Sequence, residues 1–136
     1  MILDTSVLIA AERGTLRFEA FLLTLGEQPV AIAAITASEL LHGCARATNA
    51  GTRARRAAFV EGILGLMPVH AFGLPEARRH AELWAELVRG GTPVGAHDLM
   101  VGATAVARGE PLATLNRAEF SRIPGVRLAD LGAFLA

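Results

Sequence analysis

Carboxylate side chains follow apolar runs at several places along this chain of 136 residues. Asp4 comes directly after the first apolar run, and Glu39 lies about a helical turn after the second. Asp98 begins a later helical pattern, and Glu119 follows the apolar run that comes next. Ligands of open α/β sheets bind beyond the carboxyl ends of the strands. We therefore expect these four acids to converge on one edge of a sheet.

A cluster of carboxylates at one edge predicts a bound cation. Two carboxylates about 4 Å apart repel by ~4 kcal/mol at an effective dielectric near 20, so several anions in one cleft need a counter-ion. Glu39 stands among apolar residues with no arginine nearby in the sequence, where a carboxylate is costly unless it is paired or bound to a metal. Oxygen ligands without a His/Cys cluster indicate Mg²⁺ or Mn²⁺ rather than zinc. Such a site activates water and stabilises the transition state of phosphodiester hydrolysis.

Three of the four acids also have a purely structural interpretation. Asp4 and Asp98 stand where a helix N-cap or a favourable charge at a helix N-terminus would be placed. Glu119 has arginines on both sides, Arg117 and Arg122, and a surface salt bridge would explain it. Asp130 is predicted to cap the last turn of the chain. The set of four acids is more informative than any one of them.

Apolar runs alternate with helical periodicities along the whole chain. The strands are predicted at residues 1–3, 30–33, 68–72, 111–115 and, more briefly, 127–128. The helices are predicted at residues 7–12, 15–25, 37–47, 53–66, 76–89 and 98–108, with shorter turns at 116–120 and 130–135. Thr36 or Ser38 is predicted to cap the third helix. Continuous apolar strands that alternate with helices predict an α/β fold with a parallel sheet covered on both faces.

Composition limits the class of protein. The length favours a single domain, and 52% hydrophobic residues argue against disorder. Thirteen arginines balance thirteen acids, which argues against a polycationic nucleic-acid coat but not against a local basic groove. Cys44 is the single cysteine, which excludes an internal disulfide, and its apolar surroundings predict a packing role. With no membrane span and no secretory signal, the sequence predicts a cytoplasmic protein.

Four segments of the chain, in order, resemble the motifs of the PIN-domain family. They are MILDTSVLI at 1–9, SELLHG at 38–43, VGAHDLMVGA at 94–103 and TLNRAEFSRIPG at 114–125. The resemblance covers the whole chain and is closest to the VapC-type toxins of type II toxin–antitoxin pairs. It implies a single PIN domain over 1–136 with a three-layer α/β/α sandwich around a central parallel sheet of four to five strands.

The resemblance also implies an activity and its site. The family member would be an Mg²⁺- or Mn²⁺-dependent endoribonuclease, and Asp4, Glu39 and Asp98 match the acidic positions of its metal centre. Glu119 would complete the cage or orient the attacking water, giving a 3′-hydroxyl and a 5′-phosphate. The implied partners are an RNA substrate, a second copy of the chain in a homodimer, and a VapB-like antitoxin whose C-terminal segment covers the cleft.

The chain departs from the family pattern around the fourth acid. Asn116 stands where many PIN domains carry an aspartate, with Glu119 one turn further on, and this puts a second tightly held metal in doubt. His97 stands where a small amide is frequent, and we expect a loop or cap role for it. Thr5 and Ser6 match the polar residues after the first acid, where a hydroxyl either orients a ligand or caps the helix.

Residues outside the acid cluster supply the predicted RNA contacts. The arginines that are candidates for phosphate contact are Arg53, Arg55, Arg56, Arg78 and Arg79, and the alternative is a solvated helix face. Trp84 and the phenylalanines lie at core spacing, so we expect them to pack in the core rather than stack on bases.

Two other functions remain open at this stage. One is a housekeeping PIN-domain nuclease in RNA processing that has no antitoxin. The other is a non-catalytic α/β binding module, in particular a degenerate PIN domain without metal. Receiver-like and phosphatase-like domains are disfavoured because Ser6 replaces the second acid of a DxD pair and the chain has no lysine.

Overall fold

Four short strands and seven α-helices make up the computed structural model, which describes residues Met1–Ala136. The strands are β1 (Ile2–Leu3), β2 (Ile32–Ala33), β3 (Val69–His70) and β4 (Leu112–Ala113). The helices are α1 (Thr5–Arg13), α2 (Phe18–Thr24), α3 (Ala34–Ala45), α4 (Ala50–Leu66), α5 (Leu74–Gly90), α6 (Ala96–Arg108) and α7 (Arg117–Phe120), and a 3₁₀ turn covers Gly132–Phe134. None of the helices has the length and apolar character that a membrane crossing requires.

The strands form one parallel sheet in the order β3–β2–β1–β4. β1 pairs with β4 and β2 pairs with β3, both in parallel. A parallel bridge between Ile2 and Ala31 joins the two pairs, and another between Leu112 and Leu128 adds a fifth position beyond β4. The predicted parallel sheet of four to five strands is therefore confirmed.

Successive residues of β1, β2 and β4 enter different cores. Leu3, Ile32 and Ala113 belong to a buried cluster with residues of α1 to α4. Their strand neighbours Ile2, Ala33 and Leu112 belong to a second cluster with residues of α5, α6 and α7. Side chains alternate between the faces of a strand, so these two clusters lie on opposite sides of the sheet. The predicted three-layer arrangement of helices around the sheet is confirmed.

Several helices begin earlier than predicted. α3 follows β2 directly, because no Gly, Pro, Asn or Asp separates the strand from Ala34, and Ala33 is its N-cap. The predicted caps Thr36 and Ser38 are therefore wrong, and both lie inside the helix. α4 begins at Ala50 because the side chain of Asn49 accepts a hydrogen bond from the backbone N–H of Thr52.

Helix α6, which is rich in alanine and glycine, is the most buried of the helices. Every residue from Val101 to Ala105 is buried. A Cβ atom at Gly102 would stand 2.6 Å from Cδ1 of Ile123, a side chain that is itself only 2% exposed. Because glycine has no Cβ atom, α6 can lie close against the segment that follows α7 without displacing the side chain of Ile123. The same packing fixes the position of Asp98, which lies one turn earlier on α6.

The predicted packing roles of Cys44 and of the phenylalanines Phe21 and Phe120 are confirmed, whereas that of Trp84 is wrong. Phe21 and Phe120 are buried, as predicted, and Cys44 packs at the edge of the first core. Trp84 is 59% exposed, so its predicted core position is wrong. The buried stripe of α5 runs through Leu83 and Leu87, and Trp84 lies about 100° around the helix from Leu83. It lines a groove of about 500 Å³ beside α6 instead.

Candidate active site

The four predicted acids share one edge of the sheet. Asp4 follows β1, Glu39 lies on α3 after β2, Asp98 is in the first turn of α6, and Glu119 is on α7 after β4. Burial and the charges of Asp4, Glu119 and Glu39 together raise the pKa of Asp98 to about 6. Carboxylates influence one another in this way only at short range, so the structure brings the four together.

Asp4 is buried and held by two hydroxyl groups. It is 4% exposed, and its Oδ2 accepts hydrogen bonds from Ser6 Oγ at 2.7 Å and from Thr114 Oγ1 at 2.8 Å. It occupies the N-cap position of α1, but its side chain makes no capping hydrogen bond. The capping interpretation is therefore wrong for the carboxylate, which is oriented toward the strand ends.

Backbone N–H groups orient the two hydroxyls. The N–H of Leu115 donates to Ser6 Oγ at 3.0 Å, and the N–H of Asn116 donates to Thr114 Oγ1 at 3.0 Å. Each hydroxyl is thus free to donate to Asp4, and such chains of hydrogen bonds strengthen one another. Sequence reasoning missed Thr114. Its place directly after β4 was a signal for a residue at a strand end, but its contact with Asp4 depends on the pairing of β1 with β4.

Glu39 is half-buried and points toward α1. Thr5 Oγ1 donates to its Oε1 at 2.9 Å, so Thr5 orients this carboxylate rather than capping α1. His97 Nδ1 lies 3.6 Å from the other oxygen, Oε2. No arginine forms an ion pair with Glu39, as the sequence indicated.

Asn116 connects the remaining two acids. Its Nδ2 donates to Asp98 Oδ2 at 3.3 Å and to Glu119 Oε2 at 3.0 Å. Glu119 Oε1 also accepts the N–H of Gly95 at 2.6 Å, and these hydrogen bonds lower the pKa of Glu119. Asp98 is the third residue of α6, whose N-cap is Gly95, so Asp98 is not a cap.

The predicted surface salt bridge of Glu119 is absent. Arg117 donates to the carbonyl oxygen of Ala129, and Arg122 donates to that of Pro93 at 3.1 Å. Neither arginine forms an ion pair with Glu119. The carboxylate is instead used inside the acid cluster. By contrast, Asp130 accepts the N–H of Gly132 at 2.9 Å, as a residue that caps the last turn should.

The donor set fits a hard divalent cation in chemistry and charge. All four side chains offer carboxylate oxygens, the ligands that Mg²⁺ and Mn²⁺ prefer. Burial and, after it, the charges of Asp4, Glu119 and Glu39 raise the pKa of Asp98, so a cation at this edge would meet incompletely compensated negative charge. No three His, Cys, Asp or Glu side chains converge closely enough in this arrangement to form a closed cage. All four acids instead accept hydrogen bonds from hydroxyl or N–H donors of the protein.

The arginines predicted to contact RNA lie at different places in the structure. Arg53 donates Nε and Nη2 to the carbonyl oxygen of Ala47, at 3.0 and 2.6 Å, and thereby closes the turn between α3 and α4. Arg55 and Arg56 line a groove that reaches the acid cluster. Arg78 and Arg79 lie on α5 and do not line that groove, and Arg79 is paired with Glu82 at 3.1 Å.

Replacing Thr114 by valine tests the support of Asp4. The variant removes one of two donors to a buried carboxylate, and we expect a loss of about 1 kcal/mol in the free energy of unfolding. Divalent-cation affinity should fall as well, because Asp4 would be less firmly oriented. Thr114→Ser keeps the hydroxyl and is the matched control. Equal stability of the valine and serine variants, measured by denaturant unfolding, would contradict this role.

Comparison with known proteins assigns the chain to a family. The chain matches the family model of the PIN domain over residues 1–126. It therefore belongs to the PIN-domain family. Within that family it is similar to Ribonuclease VapC1 of Rickettsia felis, with 34% identity over 133 residues that cover 98% of this chain and 97% of the relative. It is also 36% identical to the tRNA(fMet)-specific endonuclease VapC of Salmonella typhimurium over 106 residues, 78% of each chain.

Solved structures agree with this assignment. A crystal structure of DNA-bound VapBC from Salmonella typhimurium superposes with a TM-score of 0.86 at 32% identity and covers 96% of each chain. VapBC2 from Rickettsia felis, bound to a promoter DNA fragment, also gives a TM-score of 0.86, at 25% identity over 94% of this chain and 96% of the other. The predicted PIN-like sandwich and the predicted resemblance to VapC toxins are both confirmed.

Proposed function

We propose that this protein is the toxin of a type II toxin–antitoxin pair and cleaves RNA phosphodiester bonds with a divalent cation. The observation that carries the proposal is the convergence of four carboxylates at the strand ends, where burial together with the charges of the neighbouring acids raises the pKa of Asp98 to about 6. The VapC relatives that carry ribonuclease names support the reaction. The matching VapBC structures support the pairing with an antitoxin.

Asp4, Glu39 and Asp98 are the residues that we assign to the cation, with Mg²⁺ preferred and Mn²⁺ an alternative. When bound, the cation supplies Lewis-acid activation of water and stabilises the charge that develops at phosphorus. Ser6 and Thr5 keep the carboxylates of Asp4 and Glu39 oriented through the hydrogen bonds described above.

Glu119 and Asn116 support the reacting water in this proposal. The side-chain amide nitrogen of Asn116 donates hydrogen bonds to the carboxylates of both Asp98 and Glu119. Glu119 keeps a low pKa, so it stays ionised near neutral pH and can accept a hydrogen bond from the attacking water. Attack by water on phosphorus would release a 3′-hydroxyl and a 5′-phosphate.

The remaining predictions extend the proposal to organisation and partners. We propose one PIN domain over residues 1–136, supported by the family match over residues 1–126. We propose a homodimer, a VapB-like antitoxin that covers the acid cluster, and a location in the cytoplasm. A housekeeping nuclease without an antitoxin is the alternative that shares the same chemistry, and a degenerate PIN module is the alternative without it.

Incubation of the purified protein with total cellular RNA tests the proposed reaction. We expect discrete cleavage with Mg²⁺ or Mn²⁺ and none with excess chelator, with sequencing of the ends giving 3′-hydroxyls and 5′-phosphates. Cleavage that persists in chelator would contradict the cation requirement. Failure to cleave RNA and to bind Mn²⁺ in calorimetry would favour the degenerate module. Growth arrest on expression, relieved by the product of a neighbouring gene, would separate the toxin from the housekeeping nuclease.

A further inference from the structure

A groove of about 290 Å³ lies between α1, α3 and α4 and opens onto the acid cluster. Thr5 and Glu39, which are hydrogen-bonded to each other, line its inner end. Three of its twelve lining residues are hydrophobic, so the groove is mainly polar. It continues the active site along the protein surface.

Helical spacing places arginines along this groove. Arg46, the C-cap residue of α3, lies two turns after Glu39 on the same face, and Arg13, the last residue of α1, lies two turns after Thr5. Both spacings correspond to about 10–12 Å along the helix axes. Arg55, from the start of α4, lines the groove opposite them. A stacked nucleic-acid strand rises about 3.4 Å per nucleotide, so the groove matches about three nucleotides.

The groove carries cations that the protein itself does not neutralise. Its four arginines are Arg13, Arg46, Arg55 and Arg56, and none of them forms an ion pair. Glu12 and Glu39 also line it, which leaves an excess of two positive charges. Outside the groove Arg79 and Arg108 are paired with Glu82 and Glu110. Five further arginines donate to backbone carbonyl oxygens, namely Arg17, Arg53, Arg117, Arg122 and Arg127. Outside the groove, only Arg78 and Arg89 have neither kind of partner.

We propose that this groove binds the backbone phosphates of single-stranded RNA next to the bond that is cleaved. The proposal rests on the proposed ribonuclease function and names the binding residues Arg13, Arg46, Arg55 and Arg56. A planar guanidinium binds phosphate oxygens in a bidentate manner, and a positively charged groove that follows a backbone is how single strands are held without sequence preference. An acidic peptide would also be attracted, but the groove offers few apolar pockets for its other side chains.

Binding of a labelled single-stranded RNA of about 12 nucleotides tests the proposal by fluorescence anisotropy. All variants are made in the Asp98→Asn background, with Mg²⁺ present, so that cleavage does not interfere. We expect Arg46→Gln/Arg55→Gln to weaken binding about tenfold and to reduce the salt slope by about 1.4, since each lost phosphate contact contributes about 0.7. Arg55→Gln alone should weaken binding about threefold and reduce the salt slope by about 0.7, which is half of the change on the logarithmic scale. Arg89→Gln, an exposed arginine of α5 that removes the same single charge, should leave the affinity within about twofold.

The outcomes separate this proposal from the proposed reaction. Unchanged RNA affinity of the groove variants, or an equal loss in Arg89→Gln, would overturn the groove assignment even if the wild-type protein cleaves RNA. Loss of RNA binding in the groove variants but not in Arg89→Gln would support the groove assignment, even if the wild-type protein does not cleave RNA. A second probe, a poly-glutamate peptide, should bind more weakly than the RNA and should not displace it. Preferential loss of the peptide in the groove variants would overturn the RNA assignment.

Discussion

Replacing Asp98 by asparagine is expected to lower RNA cleavage by about 10³-fold, because loss of cation-dependent stabilisation at the transition state is worth several kcal/mol. Asp98 is the acid on which the charges of the other three converge, so its loss should affect the site most. Asparagine keeps the size of the side chain and its carbonyl oxygen. The variant should therefore fold normally, and expression of it should no longer arrest growth.

The control for this variant is the third aspartate of the chain. Asp130→Asn makes the same chemical change at an exposed position outside the acid cluster, and its carbonyl oxygen can still accept the N–H of Gly132. We expect cleavage by Asp130→Asn to equal that of the wild type. If Asp98→Asn and Asp4→Asn both cleave RNA and arrest growth as the wild type does, the assignment of the active site is wrong.

The same Asp98→Asn substitution is expected to stabilise the cation-free protein at neutral pH. Burial and three neighbouring carboxylates raise the pKa of Asp98 from 3.8 to about 6, so its charged form is disfavoured in the folded state. A pKa difference of one corresponds to about 1.4 kcal/mol. Because Asp98 is partly exposed and solvent screening reduces the effect, we expect a gain of about 1.5 kcal/mol, or about 5 °C in Tm.

The pH dependence of this gain follows from its sign. A carboxyl group whose pKa is raised on folding contributes stability below pH 3.8, and this stability is lost as the pH rises through about 6. The advantage of Asp98→Asn should therefore be absent near pH 3.8, grow between that value and pH 6, and stay constant above it. Saturating Mn²⁺ should stabilise the wild type and close the difference at neutral pH. A variant no more stable than the wild type at any pH would contradict the mutual repulsion of the acids.

Patterning of the sequence predicted the sheet and the edge that carries the acids. Apolar runs such as Met1–Leu3 have a direct physical cause, because a strand buried on both faces needs apolar residues at every position. The polar residue that ends such a run then falls at the strand end, which explains why Asp4 could be placed. Glu119 could be placed because it lies on the short helix that follows β4. The family resemblance added the order of the motifs and the activity.

Contacts between distant residues could not be predicted in this way. Thr114 and Asp4 are separated by 110 positions, and only the pairing of β1 with β4 brings them together. Whether Trp84 is exposed depends on which face of α5 packs against α6. The spacing of apolar residues in α5 does not determine that face. The different roles of Arg53 and Arg55 could not be predicted for the same reason. The carbonyl oxygen of Ala47 accepts a hydrogen bond from Arg53 only once the turn before α4 has formed.

The close approach of α6 to Ile123 also bears on how inactivating mutations should be distributed. A single methyl group at Gly102 would push the helix or the isoleucine aside, and the helix carries Asp98 one turn away. A change that alters no charged residue would thus act on the spacing of the carboxylates. Survivors of a genetic selection against the activity should accordingly include substitutions of Gly102 as well as of the acids. Such alleles would retain every catalytic residue in their sequence and still encode an inactive protein.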